Sequence, residues 1–259
     1  MLRTILAMAS LIAATANAAV VERKVSYSLD GTEFESTLVY DDASATARPG
    51  LVLVPNWYGA GDAAVAKAKT IAGKDYVILV ADVYGKDVRP TNDQEAGAAA
   101  GGMYKDRNVL RARAAEALKQ LRAQAGTAPI DTKHIGAIGF CFGGATALEL
   151  ARSGADIAGV ATFHAALNTD MPAQAGAVQA KVLVQNGADD TYVTPEHIAS
   201  FQKEMKDAAA DWTFVNHSGA VHCFAEPDAK SPPGCLYNER AAKRSFALMH
   251  DFFAEAFGN

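Results

Sequence analysis

The chain has 259 residues, half of them hydrophobic, and a formal net charge of −5. That length supports one domain with a sizeable core. The mild acidity and the lack of any Lys/Arg-rich tract argue against nucleic acid or an anionic membrane surface as partner, and fit ordinary solubility.

The chain opens on a short basic start, Met1-Leu2-Arg3. An apolar stretch from Thr4 to Ala14 follows, too short to span a bilayer, and Ala16-Asn17-Ala18 supplies an A-x-A cleavage site. The pattern predicts a signal peptide over residues 1–18, a single domain over 19–259, and export to the periplasm or beyond. A buried N-terminal helix is the alternative. No membrane contact is expected once the leader is removed, and no cysteine precedes Cys141 to carry a lipid anchor.

Partial alternation over Val20 to Asp30 and Thr32 to Tyr40, with Gly31 between, predicts an antiparallel hairpin. Leu51 to Pro55, Tyr76 to Ala81, His134 to Ile138, Ile157 to Phe163, Val182 to Asn186 and Trp212 to Asn216 read as further strands. The central ones are almost wholly apolar, as buried parallel strands should be. Helical patterns cover Ala63 to Ala72, Arg107 to Gln124, Ala145 to Arg152, Pro195 to Ala208 and Asn238 to Phe257. Arg107, Arg111 and Arg113 read as a solvated helix face. The stretch from Val83 to Tyr104 reads as a long loop, either part of a cap or the carrier of a short helix. Strands alternating with helices give an α/β class with a mostly parallel sheet of about eight strands and helices on both faces.

The segment Gly139-Phe140-Cys141-Phe142-Gly143-Gly144 joins an apolar strand to a helix. Strand, Gly-x-nucleophile-x-Gly, helix is the layout of a nucleophile elbow, here with cysteine at its centre. A thiol nucleophile needs a base, and the base needs an orienting acid. After one later strand comes Gly187-Ala188-Asp189-Asp190-Thr191-Tyr192-Val193, and after the next comes Gly219-Ala220-Val221-His222-Cys223-Phe224. The order nucleophile, acid, histidine is that of the α/β-hydrolase fold.

On these residues the chain from Val20 to Phe257 resembles the dienelactone hydrolase family. Asp82-Val83-Tyr84-Gly85, Phe163-His164 and Tyr237-Asn238 add support. The resemblance implies Cys141 as nucleophile, His222 as general base and then acid, and Asp190, three residues before Val193, as the orienting carboxylate. It places the oxyanion hole on the backbone N–H groups of Phe142 and Trp57, with Asn56, Tyr58, Lys86, His164 and Glu226 as candidate substrate-binding residues. His164 reads equally well as a hydrogen-bonded residue at the sheet edge. No metal or organic cofactor is expected. The chain departs from the family at three points. Asn56 stands where the family carries a glutamate, Glu226 where it carries an arginine that binds the substrate carboxylate, and after the Asp82-x-Tyr84 stretch, where the family has a second such arginine, Lys86 is the nearest cation. A neutral or differently charged ester or lactone is therefore expected as the small-molecule substrate, rather than dienelactone.

Three cysteines in an exported chain leave one over. Cys223 and Cys235 flank the short loop from Glu226 to Gly234 and are the natural disulfide pair, which leaves Cys141 free; three reduced thiols remain the other reading. The sequence thus points to a carboxylic-ester hydrolase working through a Cys141 thioester. A thiol-based redox or ligand-binding protein on the same scaffold is the alternative. It is silent on oligomeric state.

Overall fold

A computed structural model describes residues 20–258, and the predicted leader lies outside them. The hairpin forms as expected from β1 (Val20–Leu29) and β2 (Thr32–Asp41). It turns at Asp30 and Gly31, both at positive φ (48° and 77°), where glycine and short polar residues are tolerated. Next come β3 (Arg48–Val54), α1 (Asp62–Ala72), β4 (Val77–Val80), α2 (Asp93–Tyr104), α3 (Arg107–Ala123), β5 (Ile130–Phe140) and α4 (Phe142–Arg152). The chain continues through β6 (Gly159–Phe163), β7 (Lys181–Gly187), α5 (Pro195–Asp207), β8 (Trp212–His217), β9 (Lys230–Ser231), β10 (Cys235–Leu236) and α6 (Glu239–Ala256).

The eight long strands form one sheet in the order β1-β2-β4-β3-β5-β6-β7-β8. β2 pairs antiparallel with β4, and every later pairing across the sheet is parallel. Alternate residues of the strands feed two cores. Leu51, Leu53, Ile78, Val80, Ile138 and Phe140 pack with Val65 and Ile71 of α1 and with Met249 and Phe253 of α6. Val52, Val54, Leu79, Ala137 and Val160 pack on the other face with Leu110 and Leu121 of α3 and Leu148 of α4. Burial on both faces is why these strands read as continuous apolar runs rather than as alternating ones.

Of the two readings of the long segment the helix holds, while the solvated arginine face is corrected. Most of the long segment before residue 104 is helical: α2 is capped by Asn92, whose side chain accepts from the Glu95 amide at 3.0 Å. Its Gly/Ala composition gives little amphipathic contrast, so no helical period stands out. The arginine face of α3 is not solvated at its first turn. Arg107 is 7 % exposed and Glu149 of α4 is fully buried. Arg107 and Arg111 bond the Glu149 carboxylate at 3.4 and 2.7 Å, Arg152 bonds it at 2.9 Å, and Arg152 also grips Glu204 of α5. Arg113 donates to the carbonyls of Val83 and Tyr84, both at 2.9 Å. The helices over this face meet through charge that is buried and paired, which a sequence displays only as scattered ions.

Candidate active site

The parallel strands end on one edge, and the loops that follow β3, β5, β7 and β8 gather there, where ligands bind in open α/β sheets. Between β5 and α4 the single residue Cys141 takes φ 53° and ψ −118°, a conformation that side-chain-bearing residues rarely adopt. Gly139 and Gly143, two residues to either side, leave room for the bend because they lack side chains. A Cβ on Gly139 would lie 2.1 Å from the Gly143 carbonyl oxygen, and one on Gly143 would lie 2.0 Å from that of Val54. Strand, turn and helix backbones therefore touch, and the thiol projects from the bend. Cys141 is half-buried and unbonded to another cysteine. It stands at the N-terminus of α4, where helix N–H groups without intrahelical partners favour negative charge.

The turn after β7 carries two adjacent aspartates. Asp189 is exposed, whereas Asp190 is buried. One Asp190 oxygen accepts the Tyr192 amide at 2.8 Å, and the other meets His222 Nδ1 at 2.7 Å. On the other side His222 Nε2 lies 3.2 Å from Cys141 Sγ. The two loops are pressed together, since a Cβ on Gly187 would sit 2.5 Å from the Ala220 carbonyl oxygen. Burial disfavours charge on the His222 ring, but the hydrogen bonds to Asp190 and Cys141 outweigh it and push the ring up to about 10.

Around this line the other predicted residues take varied places. Phe142 opens α4. In the turn after β3, the Tyr58 and Gly59 amides donate back to Asn56 at 3.1 and 2.9 Å, and the Trp57 carbonyl accepts the Tyr84 hydroxyl at 3.0 Å. The Tyr58 hydroxyl bonds Asp93 at the start of α2. Asn56 Nδ2 donates to Glu226 Oε1 at 3.3 Å, and both line a cavity of about 240 Å³ with Tyr58, Pro90 and Lys67. Lys86 is exposed, with its amide on the Glu33 carbonyl, and is not among the residues lining that cavity. The strongly turned Gly85 before it (φ 113°) sends the chain back along β2. His164 is fully buried and neither ring nitrogen bonds another residue, so it is not the hydrogen-bonded edge histidine. Its ring packs 5.0 Å from that of His222 and 5.3 Å from Phe224. Burial above all, then the nearby His222 and Lys67, holds it well below the usual histidine range. Cys223 and Cys235 are joined as a disulfide. Among the described residues, no cluster of three or more His, Cys, Asp or Glu side chains is placed to hold a metal ion.

Two site residues escape the sequence reading. Lys67 of α1 is largely buried, ion-paired with Glu226, and holds its ammonium 3.9 Å over the Phe140 ring. Burial lowers its pKa against the pull of Glu226 and Cys141. The signal was there: Lys67 falls three residues after Ala64 and four before Ile71, on the apolar face of α1. Tyr192, 63 % exposed, sets its ring edge-to-face 5.2 Å from His222.

The sheet order, the strained elbow and a Cys–His–Asp line across three loops define an α/β-hydrolase. The model of the dienelactone hydrolase family matches residues 35–257. The chain belongs to that family. A dienelactone hydrolase-like promiscuous phosphotriesterase from metagenomic libraries is 37 % identical, with TM-score 0.86, over 92 % of this chain and 99 % of its own. An esterase of Thermogutta terrifontis (18 % identical, TM-score 0.62, 93 % of each chain) shares the fold. An uncharacterized protein of Caenorhabditis elegans is 32 % identical over 163 residues, 60 % of this chain and 99 % of that protein.

Proposed function

We propose that the chain hydrolyses carboxylic esters or lactones through a thioester on Cys141. The observation that carries the reading is His222 held between Asp190 at 2.7 Å and Cys141 at 3.2 Å. His222 Nε2 holds the proton drawn from the Cys141 thiol, and the sulfur, as the paired thiolate, attacks the carbonyl carbon. The resulting oxyanion is received by the backbone N–H groups of Phe142 and Trp57. As the tetrahedral species collapses, the C–O bond to the leaving alcohol breaks and the His222 proton passes to the departing oxygen. Water then gives a proton to the neutral imidazole and attacks the thioester. Collapse of the second oxyanion expels the sulfur as thiolate beside the imidazolium and releases the acid. Asp190 keeps the proton on Nδ1, so that Nε2 is the nitrogen that exchanges a proton with the sulfur and the leaving group.

Lys67 balances Glu226 in the cavity beside the oxyanion turn, which favours an uncharged ester over the carboxylate-bearing dienelactone. The likeness to a promiscuous phosphotriesterase adds phosphotriesters, open to the same attack at phosphorus, as a second class to screen. The leader-like start fits work in the periplasm, where small esters arrive by diffusion.

The test is a panel of p-nitrophenyl esters, lactones and phosphotriesters with wild type and Cys141→Ala. The expected outcome is turnover by wild type, at least a thousandfold loss in the variant, and mass detection of an acyl group on the Cys141 peptide. Reversible peroxide oxidation of Cys141 without turnover of any ester would favour the redox alternative and end this reading.

A further inference from the structure

Beyond the buried Phe224 and Ala225, the segment that follows His222 is poorly anchored by packing. From Pro227 to Pro233 every residue is exposed or half-buried, and the only strand pairing inside it is the two-residue ladder of β9 with β10. Yet this segment governs two groups at the site. The Leu236 amide donates to the His222 carbonyl at 3.1 Å, and Cys235 pairs alongside His222 as an isolated bridge. Glu226, on the same segment, meets Asn56 of the oxyanion turn and Lys67 of α1. Tyr192 is caught between the segment and the imidazole, since a Cβ on Gly234 would lie 3.1 Å from its hydroxyl. The disulfide fastens Cys223, directly after His222 and itself at φ 62°, to Cys235.

We infer that the Cys223–Cys235 bridge is a positioning element of the hydrolytic site, and that the enzyme reaches its full rate only when the bridge is formed. The inference rests on the hydrolytic reading of Cys141 and His222. The bridge ties the exposed stretch back to the residue next to His222. It holds the backbone of the general base from behind while Asp190 holds the ring from the side. Opening it adds two electrons and two protons to the pair. An added phosphine supplies the electrons and leaves as its oxide, taking oxygen from water. The freed segment then swings with β10, and the His222 carbonyl loses its partner. Displacement of a catalytic group by about 1 Å costs up to roughly a hundredfold in rate.

The test compares oxidised wild type, phosphine-reduced wild type and Cys223→Ser/Cys235→Ser. Turnover of p-nitrophenyl acetate is followed together with the rate of Cys141 alkylation by iodoacetamide, read by peptide mass. Circular dichroism checks that each form is folded at the assay temperature. The expected result is a fall in kcat of tenfold or more with KM little changed, slower alkylation of Cys141 at neutral pH, and recovery when the reduced wild type is re-oxidised. Should the serine pair fail to fold, Cys223→Ala/Cys235→Val fills the vacated space and is read the same way. A folded, reduced protein with kcat within twofold of the oxidised form and unchanged alkylation overturns the inference. So does global unfolding of every reduced form, because the bridge would then serve the whole fold rather than this loop. If oxidised wild type turns over no ester, the hydrolytic reading fails by itself, and the alkylation arm still reports whether the bridge positions His222.

Discussion

Replacing Asp190 with asparagine changes one atom and separates charge from geometry. One carboxylate oxygen of Asp190 is committed to the Tyr192 amide at 2.8 Å and the other to His222 Nδ1 at 2.7 Å. In Asp190→Asn, the amide oxygen keeps the Tyr192 N–H only if the NH2 group faces Nδ1. The ring must then carry its proton on Nε2, toward Cys141 Sγ at 3.2 Å, and it can no longer accept the thiol proton. The flipped amide restores the useful tautomer but sets one donor against another in a buried turn, at a cost of about 1–3 kcal/mol. That cost alone is roughly a five- to 150-fold loss, and the charge that steadies the imidazolium is gone as well. In serine proteases the same change costs about 10⁴. For this chain the expected fall in kcat/KM on p-nitrophenyl acetate is between about 10² and 10⁴, or ~3–5 kcal/mol of transition-state stabilisation. Asp190→Ala imposes no tautomer and should be no worse than Asp190→Asn. An Asp190→Asn protein that folds and keeps more than a tenth of wild-type kcat/KM would refute the tautomer argument, and so would an Asp190→Ala protein far less active than Asp190→Asn.

The elevated His222 value sets a pH limit: raised from about 6.5 to about 10, the ring stays protonated until the pH rises through that upper value. An alkyl ester, whose leaving alkoxide needs that proton, should lose kcat/KM above about pH 10, whereas a p-nitrophenyl ester should not share that limb; a fall for the alkyl ester already near neutrality would contradict it. By the same sign, the stabilisation that His222 gains on folding is complete below about 6.5 and is lost as pH climbs through 10. In the helical layer, Glu149→Ala leaves three arginines without their shared carboxylate. Arg152, fully buried, keeps Glu204, and Arg107 keeps Asp170. The expected cost is therefore that of one broken buried pair, about 3–5 kcal/mol, seen as a melting point lower by roughly 6–20 °C; a drop under about 2 °C would show that the network carries little.

The elements legible in the sequence were those whose burial is one-dimensional. Val52 and Val160 sit in strands covered on both faces, so an apolar run identifies them without knowledge of their neighbours. Cys141, Asp190 and His222 were legible because the turn chemistry around each is local: glycines at 139 and 143, a turn at 187–190, a glycine turn at 219. What escaped depends on partners far along the chain. Lys67 has a reason to be inside only once Glu226, 159 residues later, is beside it. Arg107 and Arg111 are drawn in by Glu149, and no single-helix pattern distinguishes them from solvated ions. The burial of His164 follows from packing beneath His222 and Phe224, which no spacing rule contains. Lys86 follows Tyr84 closely in the chain, and the turn at Gly85 makes that nearness a poor guide to where its side chain lies.

The close approach of Gly139, Gly143 and Val54 has a consequence for how such enzymes change. Because main-chain atoms fix where the Cα of Cys141 sits, little around it needs repacking when the side chain is exchanged. Serine at 141 would occupy the same address as the sulfur, so the reactive atom can be swapped over evolutionary time while the architecture that aims it stays untouched.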